Sequence, residues 1–299
     1  MENLQSYLEK SGVSAELRSV IDSVVASVPK ISEVIRTADT GKAGTMNNYG
    51  EEQLALDVLS DQILQEEFKK NPLIGLIASE ELPDEMKLGS GEFAVAYDPL
   101  DGSSLVDVNF SVGTIVGIYK ANSFIGMKGD DQLASMIVVY GPRTTIFLTV
   151  KKGVAHFILN KNGEFILDKE NLIVGEGKYF APGNLRACSS RQDYLELLNY
   201  WCKEKYTLRY SGGMVPDVNH ILLKGKGVFV YPGYAEEPNG KLRLLFECAP
   251  MSLLMEQAGG DASDGKIRIL DKKIENLEQR TPIIMGSKVE VAKVMEFLR

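Results

Sequence analysis

The apolar run Phe93-Ala94-Val95-Ala96-Tyr97 stops at Asp98-Pro99-Leu100-Asp101-Gly102-Ser103-Ser104, and no other stretch constrains the fold as strongly. A short apolar run bounded by proline and glycine fits a buried strand. Such a strand holds two carboxylates on a rigid support at a sheet edge. Gly102 permits the tight turn that follows. The backbone N–H groups and hydroxyls of Ser103 and Ser104 can then cradle an anion, more so where a helix begins there. Asp98-Pro99 alone also fits a surface turn capped by its aspartate. That turn needs only one acid, so the whole string points instead to an oxygen-rich site of the kind Mg²⁺ prefers.

Three other acidic places share this setting. Glu80 and Glu81 follow the apolar run Leu73 to Ala78, where adjacent acids also fit a solvated loop. Glu247 follows Leu244-Leu245-Phe246 and precedes an apolar helix, where an acid also suits the helix dipole. Asp57 interrupts an apolar helical pattern that has Glu51 near its start, and a lone acid on such a helix is commonly a surface residue. Spacing alone does not bring these places together. If they converge, Glu80, Asp98, Asp101 and Glu247 would hold two or more Mg²⁺ that polarise phosphoryl oxygens and stabilise a leaving alkoxide. Asp57, with Glu51 or Glu81, would orient and deprotonate the attacking water.

The remaining pattern alternates helices and strands. Ser14 to Arg36 has helical periodicity with Ser14 as N-cap, and Pro29 is expected to kink or divide the helix. A second helical pattern runs through Leu54, Val58, Leu59 and Ile63. Strands are expected at Val112 to Tyr119 and Ile137 to Tyr140. Thr145 to Val150 and Val154 to Leu159 form an expected hairpin, with a turn at Asn162-Gly163 that adds a strand. Further on, Asp193 to Cys202, Val218 to Leu223 and Glu247 to Ala258 are expected helical. Thr207 to Tyr210, Val228 to Tyr231 and Pro282 to Met285 are expected extended, before a final helix opening with a capping box at Ser287 to Glu290. Mixed sheets layered with helices, an α/β (α+β) class, suit this order.

At 299 residues the chain fits one large domain or two closely packed ones, and it can bury a core without disulfides. Its formal net charge of -8 argues against nucleic acid or an anionic membrane as a partner. Cys188, Cys202 and Cys248 lack metal or disulfide spacing and read as reduced thiols of a cytoplasmic protein. His156 and His220 have no partners at ligand spacing, so serine–histidine or zinc chemistry is not supported.

Taken with these acids, the chain resembles the class I fructose-1,6-bisphosphatase and sedoheptulose-1,7-bisphosphatase family, from Ser14 to the last helix. The resemblance implies a layered α-β-α-β-α sugar phosphatase fold with mixed sheets. Its metal-bearing half would be 1–175 and its sugar-binding half 176–299, packed as one unit. It implies two or three Mg²⁺ per site, with Mn²⁺ an alternative, held by Glu80, Asp98, Leu100, Asp101 and Glu247. Asp101, Gly102, Ser103 and Ser104 would meet the substrate. Lys241 to Pro250 (KLRLLFECAP) looks like the family's substrate-lysine and metal-glutamate segment, with Lys241 and Arg243 toward the sugar phosphate. Arg209, Tyr210, Gly213, Met214 and Tyr231 lie in segments similar to those that hold the sugar and its unreacted phosphate. The arginine matching Arg209 reaches a neighbouring subunit's site in that family, which implies a homodimer or homotetramer. Outside this motif, Arg209, Lys241 and Arg243 also fit a solvated basic surface, and Tyr210 and Tyr231 fit core tyrosines.

Tyr140 to Thr145, Ala181 to Arg186 and Lys205 to Asp217 resemble plant sedoheptulose bisphosphatase segments. Asn184 and Arg186 are expected to contact substrate. Ala187, in place of a tyrosine near that asparagine in the fructose enzymes, is expected to leave room for a longer sugar. The expected reaction is removal of the 1-phosphate of sedoheptulose 1,7-bisphosphate. The alternatives are fructose 1,6-bisphosphate, as sole or second substrate, and a non-catalytic sugar-phosphate sensor. Two departures concern control. Gly41 to Met46 lacks the paired cysteines of the chloroplast redox switch, and Glu92-Phe93 replaces the Lys-Tyr pair of AMP-inhibited enzymes. Glu51 stands where the family usually has aspartate.

Overall fold

The computed structural model describes the backbone at residues 2–38, 42–46 and 52–298, so Glu51 lies outside the described residues. In chain order the elements begin α1 (Leu4–Lys10), α2 (Ala15–Thr37), β1 (Lys42–Met46), β2 (Glu52–Leu54), α3 (Ala55–Lys69) and β3 (Ile74–Ser79). Next come β4 (Met86–Lys87), β5 (Phe93–Asp101), β6 (Val112–Lys120), β7 (Ala134–Tyr140), β8 (Thr145–Thr149), β9 (Ala155–Leu159) and β10 (Phe165–Lys169). The second half holds β11 (Gly175–Pro182), α4 (Gln192–Lys203), β12 (Thr207–Leu208), α5 (Met214–Lys224) and β13 (Lys226–Tyr231). It ends with α6 (Ala249–Gln257), β14 (Asp261–Ser263), β15 (Ile283–Gly286) and α7 (Lys288–Phe297).

Two mixed sheets organise the chain. The larger runs β10-β9-β8-β7-β6-β5-β3-β4, with β3 and β5 parallel and the remaining pairs antiparallel. The smaller runs β12-β11-β13-β15-β14. Strand alternation distributes their side chains into three apolar layers. Phe93, Val95 and Tyr97 of β5 pack with Val20, Ile21, Val24 and Phe68 of α2 and α3. Ala94 and Ala96 face the opposite way, toward α5 and α6, which also meet Phe229 and Met285 of the smaller sheet. Val228, Val230 and Ile284 turn outward onto Tyr194, Leu197 and Trp201 of α4 and Val291 and Val294 of α7. The result is the helix–sheet–helix–sheet–helix order expected above.

Pro29 does not divide α2. It removes one backbone donor but sits on the exposed face, where water can take over the freed carbonyl. Val28 and Ile31 beside it are fully buried, and their packing keeps the helix continuous through it. Ser14 caps this helix by accepting from the Leu17 N–H (3.2 Å), and Ser287 caps α7 through the Glu290 N–H (3.3 Å). The expected β8–β9 hairpin and the added β10 are present, with Gly163 at φ +82° in the turn. Strand β11 gave no sequence signal: two glycines and a half-exposed first part hide it, although it pairs with both β12 and β13.

Candidate active site

Strand β5 ends at the acids because its last residues remain in the ladder as far as Asp101, which pairs with Gly113 of β6. Gly102 then takes φ +78°, and Ser103–Val108 form a short 3-10 turn. A side chain at 102 would find only ordinary contacts, so it is the left-handed backbone, which other residues rarely adopt, that calls for glycine here. The Val215 N–H at that helix start donates to Asp101 Oδ2 (2.6 Å). Asp98 Oδ1 accepts from the Leu100 N–H (2.9 Å), which folds the Asp-Pro-Leu-Asp segment around its own carboxylate.

Glu247 arrives from the other side of the molecule. A single π-helical turn, Leu244–Cys248, precedes α6 and is closed by the Cys248 N–H donating to the Arg243 carbonyl (3.0 Å). Such wide turns recur at functional sites. This one carries the Glu247 carboxylate to Asp98 and Asp101. One oxygen from each of the three acids lies within 4.8 Å of the others, and the residues are only 6%, 5% and 8% exposed. Burial raises the Asp98 carboxyl well above its usual range, and Glu80, Asp101 and Glu247 raise it further. Burial, then Glu80 and Asp101, does the same to Glu247. Asp101 is pushed up to about 6, chiefly by burial. Three crowded, buried carboxylates are costly unless a cation joins them, and an all-oxygen donor set suits a hard divalent ion.

Glu80 and Glu81 follow β3, beside this cluster. The Arg243 guanidinium, 3% exposed, joins Glu80 through Nη1 and Glu278 through Nε (3.0 Å), while its backbone N–H donates to Glu247. Burial disfavours its charge, but Glu80 and Glu278 more than offset that and hold the arginine charged. Asp57 on α3 accepts from the Ser103 hydroxyl (3.1 Å). Asp57, Glu80, Glu81, Asp98, Leu100, Asp101, Gly102, Ser103, Ser104 and Glu247 thus line one cavity of about 520 Å³. Tyr210, Gly213, Met214, Tyr231, Lys241 and Arg243 close its other side.

Residues 3–170 match the family described as fructose-1-6-bisphosphatase, N-terminal domain, and residues 173–299 match its C-terminal domain. The chain belongs to the class I fructose-1,6-bisphosphatase family. It is 45% identical over 301 residues to "Fructose-1,6-bisphosphatase class 1" of Geobacter metallireducens, covering 99% of this chain and 95% of that one. It is 43% identical to chloroplastic sedoheptulose-1,7-bisphosphatase of Triticum aestivum, covering 99% and 77%. The crystal structure of Leishmania major fructose-1,6-bisphosphatase in holo form superimposes with a TM-score of 0.94 at 33% identity, covering 99% and 98% of the two chains. This is a family of sugar bisphosphatases.

Three residues expected at the site lie outside the cavity. Asn184, at φ +52°, donates its amide to the Pro232 carbonyl (3.2 Å). Arg186 is exposed. Arg209 is also exposed, donates to its neighbour Leu208's carbonyl (2.8 Å) and stacks 5.3 Å from the Tyr179 ring centre. The room expected at Ala187 does not arise: Ala187 is fully buried in the layer under α4 with Tyr194 and Trp201, so its size bounds no part of the cavity. Sequence reasoning missed Phe229 and Leu242, which form apolar wall, and Glu278, which grips Arg243. Phe229 was within reach, since it precedes Tyr231 by two and shares its face of β13. Glu278 left no signal, because its partner is 35 residues away.

Proposed function

We propose that the chain is a Mg²⁺-dependent bisphosphatase that removes the 1-phosphate of sedoheptulose 1,7-bisphosphate by attack of water. The observation that carries the metal-assisted reading is the gathering of Asp98, Asp101 and Glu247, from β5 and the π-turn, within 4.8 Å. Glu80, Asp98, Asp101, Glu247 and the Leu100 carbonyl would hold the cations, Mg²⁺ or Mn²⁺, two or three per site. When bound, these ions supply Lewis-acid polarisation of the phosphoryl group and charge neutralisation of the leaving oxygen. Ser103, Ser104 and the backbone around Gly102 orient the reacting phosphate. Asp57, held by Ser103 and assisted by Glu81 or Glu51, positions the attacking water and takes its proton. Tyr210, Met214, Tyr231 and Lys241 position the sugar, with Lys241 as the cation nearest its phosphate.

Two halves in close contact, 1–175 and 176–299, divide these tasks in this proposal. Arg209 would serve the remote phosphate of an adjoining subunit in a homodimer or homotetramer, in keeping with the exposed Leu185, Leu208 and Tyr210. Three free cysteines fit a reducing cytoplasm, and no described helix is long and apolar enough to cross a membrane. Fructose 1,6-bisphosphate is the second reading of the substrate, favoured by relatives of that name matched over 95% of their length. The deciding measurement is kcat/KM on both bisphosphates at matched Mg²⁺, with and without chelator. Preference for the heptulose supports the proposal. Preference for the hexulose overturns the substrate assignment, and tight binding without phosphate release leaves a sensor.

A further inference from the structure

We propose that Asp61 is a positioning residue, which fixes the metal carboxylates and Asp57 relative to one another; the proposal rests on the metal-assisted reading above. Asp57 and Asp61 are four residues apart on α3, one helical turn, so both face the larger sheet. Asp61 is 5% exposed. Its Oδ1 accepts from the Tyr97 hydroxyl (2.8 Å) and its Oδ2 from the Gln65 amide (2.6 Å), and the Ser79 side chain lies within its electrostatic reach. Tyr97 and Ser79 are fully buried. Tyr97 immediately precedes Asp98, and Ser79 immediately precedes Glu80.

The topology gives this its meaning. Strands β3 and β5 are parallel neighbours, with Ser79 and Tyr97 paired in register. Because strand side chains alternate, the residue before each acid points toward α3 while the acid itself points to the other face. The carboxylate therefore anchors β5 through Tyr97, with Ser79 of β3 facing the same helix, at the last step before Glu80 and Asp98 emerge. The Glu80 N–H donates to the Tyr97 carbonyl (3.1 Å) and the Glu81 N–H to the Ser79 hydroxyl oxygen (3.2 Å), so the grip continues into the acidic turn. Phe68, one face of α3 further on, meets the Tyr97 ring edge-on at 5.4 Å and fixes its orientation.

Leu64 and Phe68 of the same helix are buried along with Asp61 and belong to the apolar layer between α3 and the larger sheet. A well-packed apolar side chain would fill that layer at least as stably, so what the carboxylate adds is registry. Registry matters here because the site acids repel one another and tend to spread the strand ends apart. Anchoring β5, and through the β3–β5 ladder its neighbour, to α3 holds the acids at the spacing a cation needs, and the same helix carries Asp57 one turn away.

The test uses Tyr97→Phe and Ser79→Ala, each of which removes one hydroxyl, and Asp61→Leu against Asp61→Asn. Tyr206→Phe is the control, since it removes a tyrosine–carboxylate bond to Glu290 (2.8 Å) in the α4–α7 layer. Mn²⁺ binding is followed by electron paramagnetic resonance, kcat and KM by phosphate release, and Tm in chelator. Tyr97→Phe and Ser79→Ala are expected to weaken Mn²⁺ binding by about tenfold. Both are expected to lower kcat at saturating metal with KM unchanged. Asp61→Asn, which keeps an acceptor for Tyr97, should fall between wild type and Asp61→Leu. Tyr206→Phe should shift Tm alone. If Tyr97→Phe and Ser79→Ala also shift only Tm and bind Mn²⁺ as wild type does, the positioning role is overturned while the metal reading stands. Wild-type protein that binds no Mn²⁺ overturns both.

Discussion

The two sheets meet at one cavity but contribute to it in opposite ways. The larger brings charges of one sign, buried and fixed: Asp98 and Asp101 are part of a nine-residue strand whose every residue is buried. The smaller brings side chains of mixed character from its margins: Tyr210 is 42% exposed, Lys241 is exposed, and Tyr231 ends β13 half-buried. Groups that must hold a dense charge cluster need a rigid, low-dielectric support, because rigidity prevents their repulsion from relaxing into disorder. Groups that receive a flexible polar substrate work from the surface. The comparison teaches that, in this molecule, the most buried part of the cavity is the cluster of like charges at the end of β5, while Tyr210 and Lys241 stand at its exposed margin.

The sharpest way to break that comparison is Asp98→Asn. It should lower kcat by about a thousandfold or more, the scale of losing a transition-state electrostatic contact. It should also raise Tm in chelator, because one buried repulsive charge is gone. An active variant would remove Asp98 from the metal shell, and a collapsed one would show that the cluster is structural. Arg243→Leu comes next. Leaving Glu80 and Glu278 without their shared cation should cost about 3 kcal/mol in chelator, read from urea midpoints. Saturating Mg²⁺ should recover part of that loss, and no recovery would mean that Glu80 does not meet the metal.

Smaller effects are expected on the recognition side. Lys241→Ala and Arg209→Ala should each raise KM by roughly tenfold, about 1.4 kcal/mol, with kcat nearly unchanged. A fall in kcat at constant KM would place them with the chemistry instead. The smallest effect concerns the scaffold far along the larger sheet. His156 is buried, with its Nδ1 3.0 Å from Asp168, and burial lowers its pKa although Asp168 opposes this. The unfolded chain therefore takes up this proton first. The stability from neutral His156 is complete above about pH 6.5 and is lost as pH falls through the lowered value. Comparing urea midpoints at pH 8 and pH 5, His156→Leu should narrow the difference between them. An unchanged difference would show that His156 titrates alike in both states.

Local signals in the chain went far at the strand ends. The Phe93–Tyr97 run announced β5, and the acids after it line the acid-rich cavity. The apolar runs before Glu80 and Glu247 placed those acids at element ends too. Legibility failed where a residue's role depends on a remote partner. Glu278 and Asp61 look like ordinary acids on ordinary segments, and only the fold shows that one holds Arg243 and the other accepts from Tyr97 at the end of β5. Size reasoning at Ala187 failed for the same cause: a side chain's direction at the start of a turn is set by the packing around it, and here it points into the core.

By itself, then, the sequence determined the periodicities, the caps and the abrupt ends of buried strands, because these depend on neighbours a few residues apart. Only the tertiary structure decided that the acids of β5 and of the π-turn meet. The sequence pattern predicted an ordinary α-helix from Glu247, yet a wider turn precedes it. The reason is that packing of Leu244, Leu245 and Phe246 into the middle layer fixes how that segment winds, and those contacts come from parts of the chain more than a hundred residues away.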